Sequence, residues 1–245
     1  MLIEVCVDNI ESVYTAQKCG ANRIELCGAL ALGGITPNYG LIERAVEVAQ
    51  IPIYMMIRPR AGDFLFSADE VKIMQADIRI AKQLGVSGIV IGALTQQAEI
   101  DLDNCKRLIE CADGLGITFH RAFDLCRDPF TARDQIIELG CERILTSGQQ
   151  QSAVAGSALI QQLIQQADNR ISIMPGAGVN AANAKQIIQA TDAKELHLSA
   201  KGYRHSMITT QQAPNMGKNA EDDSRIEITD GARLSAVLQA ARECR

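Results

Sequence analysis

The sequence predicts a single α/β domain over residues 1–245, a (β/α)8 barrel of the TIM type, with parallel strands and a working site at their carboxyl ends. Eight short apolar runs recur about 25–30 residues apart, each followed by a helical pattern, which argues for a parallel sheet covered by helices. The length of 245 residues is close to the roughly 250 typical of one such barrel. No GxGxxG follows the first strand, so the usual mark of a doubly wound dinucleotide-binding sheet is absent and no nucleotide cofactor is expected.

The elements follow in order. Strand 1 (3–7) is β-branched, and Asp8-Asn9 caps a helical pattern that stops at Cys19-Gly20. Strand 2 (23–27) leads through a Gly-containing loop to a helix at about 39–50. Strand 3 (51–59) precedes a polar loop, after which Ser67 and Glu70 form a capping box for a helix ending near Gly85. Strand 4 (88–92) is followed by a helix from about Asp101, and strand 5 (117–121) by one opening near Pro129. Strand 6 (143–146) runs into Ser147-Gly148 before a helix from about Val154. Strand 7 (171–174) runs into Pro175-Gly176-Ala177-Gly178 before a helix from about Ala181. Strand 8 (195–199) is separated from the last helix (230–242) by a polar stretch, 201–229, with no apolar period. A loop of that length is either a functional element or a floppy excursion; leaving the active face, it suits a lid or a subunit contact.

Composition narrows the function classes. Hydrophobic residues at 47% and charged residues at 22% exclude a disordered chain. Aromatics at 4% and a net charge of -5 give no footprint for nucleic acid or an anionic membrane surface. No apolar run reaches the 18 residues of a membrane span, and the amino terminus has no signal-peptide pattern. The eight scattered cysteines then read as free thiols in a reducing, cytoplasmic setting.

Strand residues two apart share a side. Glu4 therefore sits with Cys6, Glu25 with Cys27, Met56 with Arg58, Thr118 with His120, and His197 with Ser199. If those sides face inward, a Glu/Cys/Arg/His cluster lines one pocket; the plainer alternative is an ion-pair network that only fills the barrel. Glu25 and His120 are the candidate acid–base groups, with Arg58 beside them. Gly176 and Gly178 precede a helix amino terminus after strand 7, where barrels of this class often bind phosphate. Ser199 and Lys201 after strand 8, Ser147 after strand 6, and Arg60 and Arg121 complete a candidate anion site. Cys6 and Cys27 occupy comparable places on neighbouring strands. Two thiolates, with thioether from Met55 or Met56, suit a soft ion such as Cu(I); two small buried hydrophobes are the alternative.

The segments Ile3-Glu4-Val5-Cys6-Val7-Asp8, Arg23-Ile24-Glu25-Leu26-Cys27, Met56-Ile57-Arg58-Pro59-Arg60-Ala61-Gly62-Asp63-Phe64 and Thr118-Phe119-His120-Arg121-Ala122-Phe123-Asp124 form, in this order, a pattern that resembles the CutC family. Leu145-Thr146-Ser147-Gly148 and Met174-Pro175-Gly176-Ala177-Gly178 continue it, so the likeness runs over about residues 1–205. The resemblance implies a (β/α)8 barrel, a cytoplasmic location, a homo-oligomer (a dimer is favoured), and an association with copper tolerance. It also implies a Cu(I) site whose cysteines fall on Cys6 and Cys27. The charged cluster speaks equally for an enzyme acting on a small anionic or phosphorylated substrate.

Overall fold

The computed structural model describes residues 1–208 and 224–244. Its eight parallel strands are β1 Leu2–Val7, β2 Arg23–Leu26, β3 Ile53–Met56, β4 Gly88–Ile91, β5 Gly116–Phe119, β6 Arg143–Thr146, β7 Ser172–Pro175 and β8 Glu195–Leu198. They stand in the order β7-β6-β5-β4-β3-β2-β1-β8. Strands β7 and β8 lie side by side without a hydrogen-bonded ladder among the described residues, so the barrel is nearly closed. Around it lie α1 Ile10–Cys19, α2 Tyr39–Val48, α3 Ala68–Leu84, α4 Leu102–Ala112, α5 Pro129–Glu138, α6 Ser157–Ala167, α7 Ala184–Thr191 and α8 Gly231–Arg242. Among the described residues, no helix is long and apolar enough to cross a membrane.

The expected alternation holds. Ile3, Val5, Ile24, Leu26, Met55, Ile89, Ile91 and Phe119 point from the strands into the helix layer and form the main core. The residues between them turn into the barrel. Local signals set the helix starts. Asn9, Asn38, Asp101, Asp128 and Asp230 each accept a backbone N–H at a helix start, and Ser67 with Glu70 makes the full capping box. Asp101 and Asp230, expected as first helical residues, are therefore the caps. Helices α6 and α7 begin three residues later than expected, at Ser157 and Ala184, because turns precede them. Strand β3 is shorter than the expected 51–59.

The 201–229 stretch differs from the expected loop. Its ends form an antiparallel ribbon, β9 Lys201–His205 against β10 Arg225–Thr229. Most of β9 is exposed and β10 is half-buried, so neither strand needed the period-two apolar pattern that reveals a half-buried sheet. Residues 209–223 lie outside the described residues.

Candidate functional site

The lower barrel interior is an ion network. Arg23 pairs with both Glu4 and Glu195. Arg143 pairs with Glu195 at 3.2 Å and donates to Thr118 Oγ1 at 3.0 Å. Both guanidinium groups lie over the Tyr54 ring, at 5.2 and 4.8 Å from its centroid, and the Tyr54 hydroxyl donates to Glu142 at 2.7 Å. Each buried charge here has a partner, which offsets desolvation.

Above this network opens a cavity of about 580 Å³, a size suited to a small molecule. Cys6, Glu25 and His197 belong to its lining and sit nearest the ion network. Register explains the grouping: across β1 and β2, Cys6 is the ladder partner of Glu25, and across β1 and β8, Glu4 is the partner of His197. Thiol, carboxylate and imidazole each offer a ligand atom, all within 4.8 Å of one another. His197 Nε2 lies 2.9 Å from Glu25 Oε2. Burial works against a charged imidazole here, yet the Glu25 carboxylate and the Cys6 sulfur hold His197 well above its ordinary value. Burial likewise opposes the Glu25 charge, but His197 and then His120 bring it below the usual carboxylate value. Burial pushes the Cys6 thiol up against the opposing pull of His197, and burial and then the Glu25 charge push the Cys27 thiol well up.

His120 and Arg58 also face the cavity. Gly92 makes room for the His120 ring, since a Cβ there would sit 2.3 Å from Cε1. Burial, then Arg58, push the pKa of His120 down to about 4, so the ring is neutral at pH 7. Its Nδ1 accepts the Ala122 N–H at 3.1 Å, which leaves the ring proton on Nε2. Arg58 donates to the carbonyls of Gly34 at 3.1 Å and Gly62 at 2.8 Å, and lies over the Phe64 ring. No carboxylate among the described residues pairs with it. Burial, followed by the charge of Arg60, lowers its pKa, but a guanidinium stays charged.

Four buried side-chain polar atoms lack a hydrogen-bond partner among the described residues: Glu4 Oε1, Glu25 Oε1, Arg58 Nε and His120 Nε2. Three belong to cavity-lining residues and the fourth, on Glu4, is 3.9 Å from His197 Nε2 at the cavity base. Native proteins leave few such atoms, and here all four are on residues in or beside the cavity lining.

The other expected residues divide. Arg121, Gly178, Ser199 and Lys201 line the upper cavity. Arg121 is held by Asp124 at 2.8 Å and Lys201 by Glu227 at 2.5 Å, so neither brings a free charge. Ser147 is buried behind Asp124, to which its hydroxyl donates at 2.9 Å. Gly176 does not line the cavity; a Cβ there would stand 2.5 Å from Leu145 Cδ1 and 3.3 Å from His197 Nδ1, so this glycine makes room for both side chains. Arg60 is off the cavity, bound to Glu70 at 2.5 Å and Asp63 at 3.0 Å. Cys27 is fully buried off the lining, donates to Glu25 Oε2 at 3.7 Å and packs with Met56. The ladder sets Cys6 level with Glu25, two residues or about 6.6 Å along the strand below Cys27. Met55 faces the outer core, so of the two methionines only Met56 reaches the cavity.

Near the strand 7 loop, the N–H groups of Asn180 and Ala182 are taken up by the Asn183 and Asn180 side chains. Those of Ala177, Gly178 and Val179 have no partner among the described residues. His197 was legible as an inward strand residue, but its bond to Glu25 was not. Nor were the bonds of Asp124, which receives the Ser147 N–H and hydroxyl and joins two loops.

The fold and the site together define a (β/α)8-barrel protein with a polar cavity at the strand ends. The chain belongs to the CutC family, whose model matches residues 1–202. It is 61% identical over 237 residues to a family protein CutC of Pasteurella multocida, covering 97% of each chain. It is 55% identical over 243 residues to one of Histophilus somni, covering 99% of this chain and 100% of the other. Among solved structures, the candidate copper homeostasis protein CutC from Streptococcus agalactiae superimposes with a TM-score of 0.78 at 36% identity, over 81% of this chain and 98% of that one. N-(5'-phosphoribosyl)anthranilate isomerase from Pyrococcus furiosus, at 13% identity and a TM-score of 0.57 over 99% of both chains, shares the fold alone.

Proposed function

We propose that this protein is a barrel enzyme that binds a small anionic molecule in the strand-end cavity and moves protons on it. The unpartnered buried atoms Glu25 Oε1, Arg58 Nε and His120 Nε2, all on residues that line one cavity, carry the reading. Glu4, Glu25 and Glu195 are matched in number by Arg23, Arg143 and a charged His197. Arg58 is left as a buried cation without a carboxylate, which favours an anionic ligand. Neutral His120 can give its Nε2 proton, and Glu25 can accept one with His197 stabilising its charge. The free N–H groups of residues 177–179 suit a phosphate or carboxylate oxygen.

The test is a thermal-shift screen of the metal-free protein with inorganic phosphate, sugar phosphates and small hydroxycarboxylates. A ligand at about 100 times its Kd stabilises by about 2.7 kcal/mol. At least one class should raise Tm, and Arg58→Met should abolish the rise. If no anion shifts Tm, the reading fails.

A second reading follows from the copper homeostasis name of the S. agalactiae relative: Cu(I) held by Cys6 and Cys27. Cys6 and Met56 do offer soft donors at the cavity. The pair as a two-thiolate site fits poorly, because Cys27 is off the cavity and its thiol is bonded to Glu25. Competition of the reduced protein against a Cu(I) chelator decides it: affinity that falls in both Cys6→Ser and Cys27→Ser would support the pair. A cytoplasmic location and a homodimer belong to the same proposal and are checked by cell fractionation and light scattering.

A further inference from the structure

We propose that Cys6, Glu25 and His197 form a site for one divalent transition-metal ion of the zinc type, with an open coordination position toward the cavity. The three residues come from β1, β2 and β8, which are neighbours in the barrel, and their ligand atoms lie within 4.8 Å of one another. Closing that spacing onto bonds of about 2.0–2.3 Å needs side-chain adjustment only. One thiolate, one imidazole and one carboxylate make a mixed set. It is too hard for Cu(I), which favours thiolate and thioether, and too soft for Mg²⁺. Three protein ligands with a fourth position free is the pattern of a catalytic zinc centre. Thiolate and carboxylate together carry two negative charges, which balance a divalent ion.

An independent observation points to a ligand here. Glu25 is 3% exposed, and its Oε1 has no partner among the described residues. The surroundings also suit a metal. The Cys27 thiol donates to Glu25 Oε2, and Gly176 leaves the space that Leu145 and the His197 ring share. Such outer contacts orient metal ligands. This assigns Cys27 an outer hydrogen bond in place of a direct metal bond. The inference shares Glu25 and His197 with the anion reading of the metal-free protein, but metal binding is read directly and without substrate, so the two fail separately.

The experiment uses the full chain, stripped of metal and kept reduced by a phosphine, titrated with Co(II). Saturation is expected at about one cobalt per chain, with the visible bands of a tetrahedral ion and a thiolate-to-cobalt charge-transfer band, both removed by Zn(II). Cys6→Ser should lose the charge-transfer band, Glu25→Gln and His197→Gln should weaken binding at least about tenfold, and Cys27→Ser should keep the band. A band that survives Cys6→Ser, or that Cys27→Ser removes as fully, overturns the site, as does no cobalt binding by the wild type. X-ray absorption of the wild-type zinc form avoids variants that fail to fold: one sulfur among nitrogen and oxygen ligands supports the site, and two sulfurs overturn it. Loss of the cobalt signal with anion stabilisation intact would sink the metal centre alone.

Discussion

His120 contributes to the acid sensitivity of the protein. Its folded value of about 4 lies below the roughly 6.5 of an unfolded histidine. The unfolded chain therefore takes up a proton that the native state refuses. Stability from this group is intact above about pH 6.5 and is lost as pH falls toward about 4, by up to about 3 kcal/mol. Urea unfolding at pH 7 and pH 4.5 should show this drop, and His120→Gln should shrink it; an equal drop in the variant would assign the acid sensitivity elsewhere. His197 runs the other way: its raised value adds stability below about pH 6.5 that fades as pH rises through the folded value. Gly92 is tied to His120 by space. Gly92→Ala forces the ring to move, costing about 1–3 kcal/mol by overpacking. It should also reduce anion stabilisation, while the cobalt spectrum stays as in the wild type.

Among the elements, the β9–β10 ribbon depends on α1. Asn9 caps α1 by accepting the Ser12 N–H at 2.9 Å and donates to the Glu227 carbonyl at 3.1 Å. The Thr229 N–H donates to Ser12 Oγ, and Arg204 pairs with Glu11. Asn9→Ala should cost about 1–2 kcal/mol and speed hydrogen exchange across β10. Asn9→Asp keeps the cap but loses the donor, so it should change ribbon exchange with little effect on global stability. Unchanged β10 exchange in both variants would show that Asn9 does not anchor the ribbon. Because Lys201 and Glu227 stand at the upper cavity, a loosened ribbon should also weaken anion binding.

For the molecule as a whole, Arg23 is the hub of the barrel interior. Arg23→Met leaves Glu4 and Glu195 facing each other with less compensation, so a loss of about 3–5 kcal/mol is expected by chemical denaturation. Arg60→Met, at the surface, should change stability far less. Equal effects would mean that the interior network does not hold the barrel. Much of this architecture was legible in the chain. Val5 against Glu4 and Cys6, or Ile24 against Arg23 and Glu25, alternate at the strand period. The polar face could turn only inward once helices covered the other side. The partners of each inward charge were not legible, because Arg23 meets Glu195 from 172 residues away.

The sequence by itself determined the eight units, the caps of α1 and α3 and which residues of each strand share a face, since these follow from local chemistry and from periods of 2 and 3.6. Tertiary structure alone decided what meets at the floor of the cavity. Ladder register set Cys6 level with Glu25 and left Cys27 behind, near closure at β8 brought His197 to both, and the loop after β3 turned Arg60 onto Glu70. The physical reason is that register and shear are fixed by how all eight strands pack around one axis, and no local run of residues carries that information.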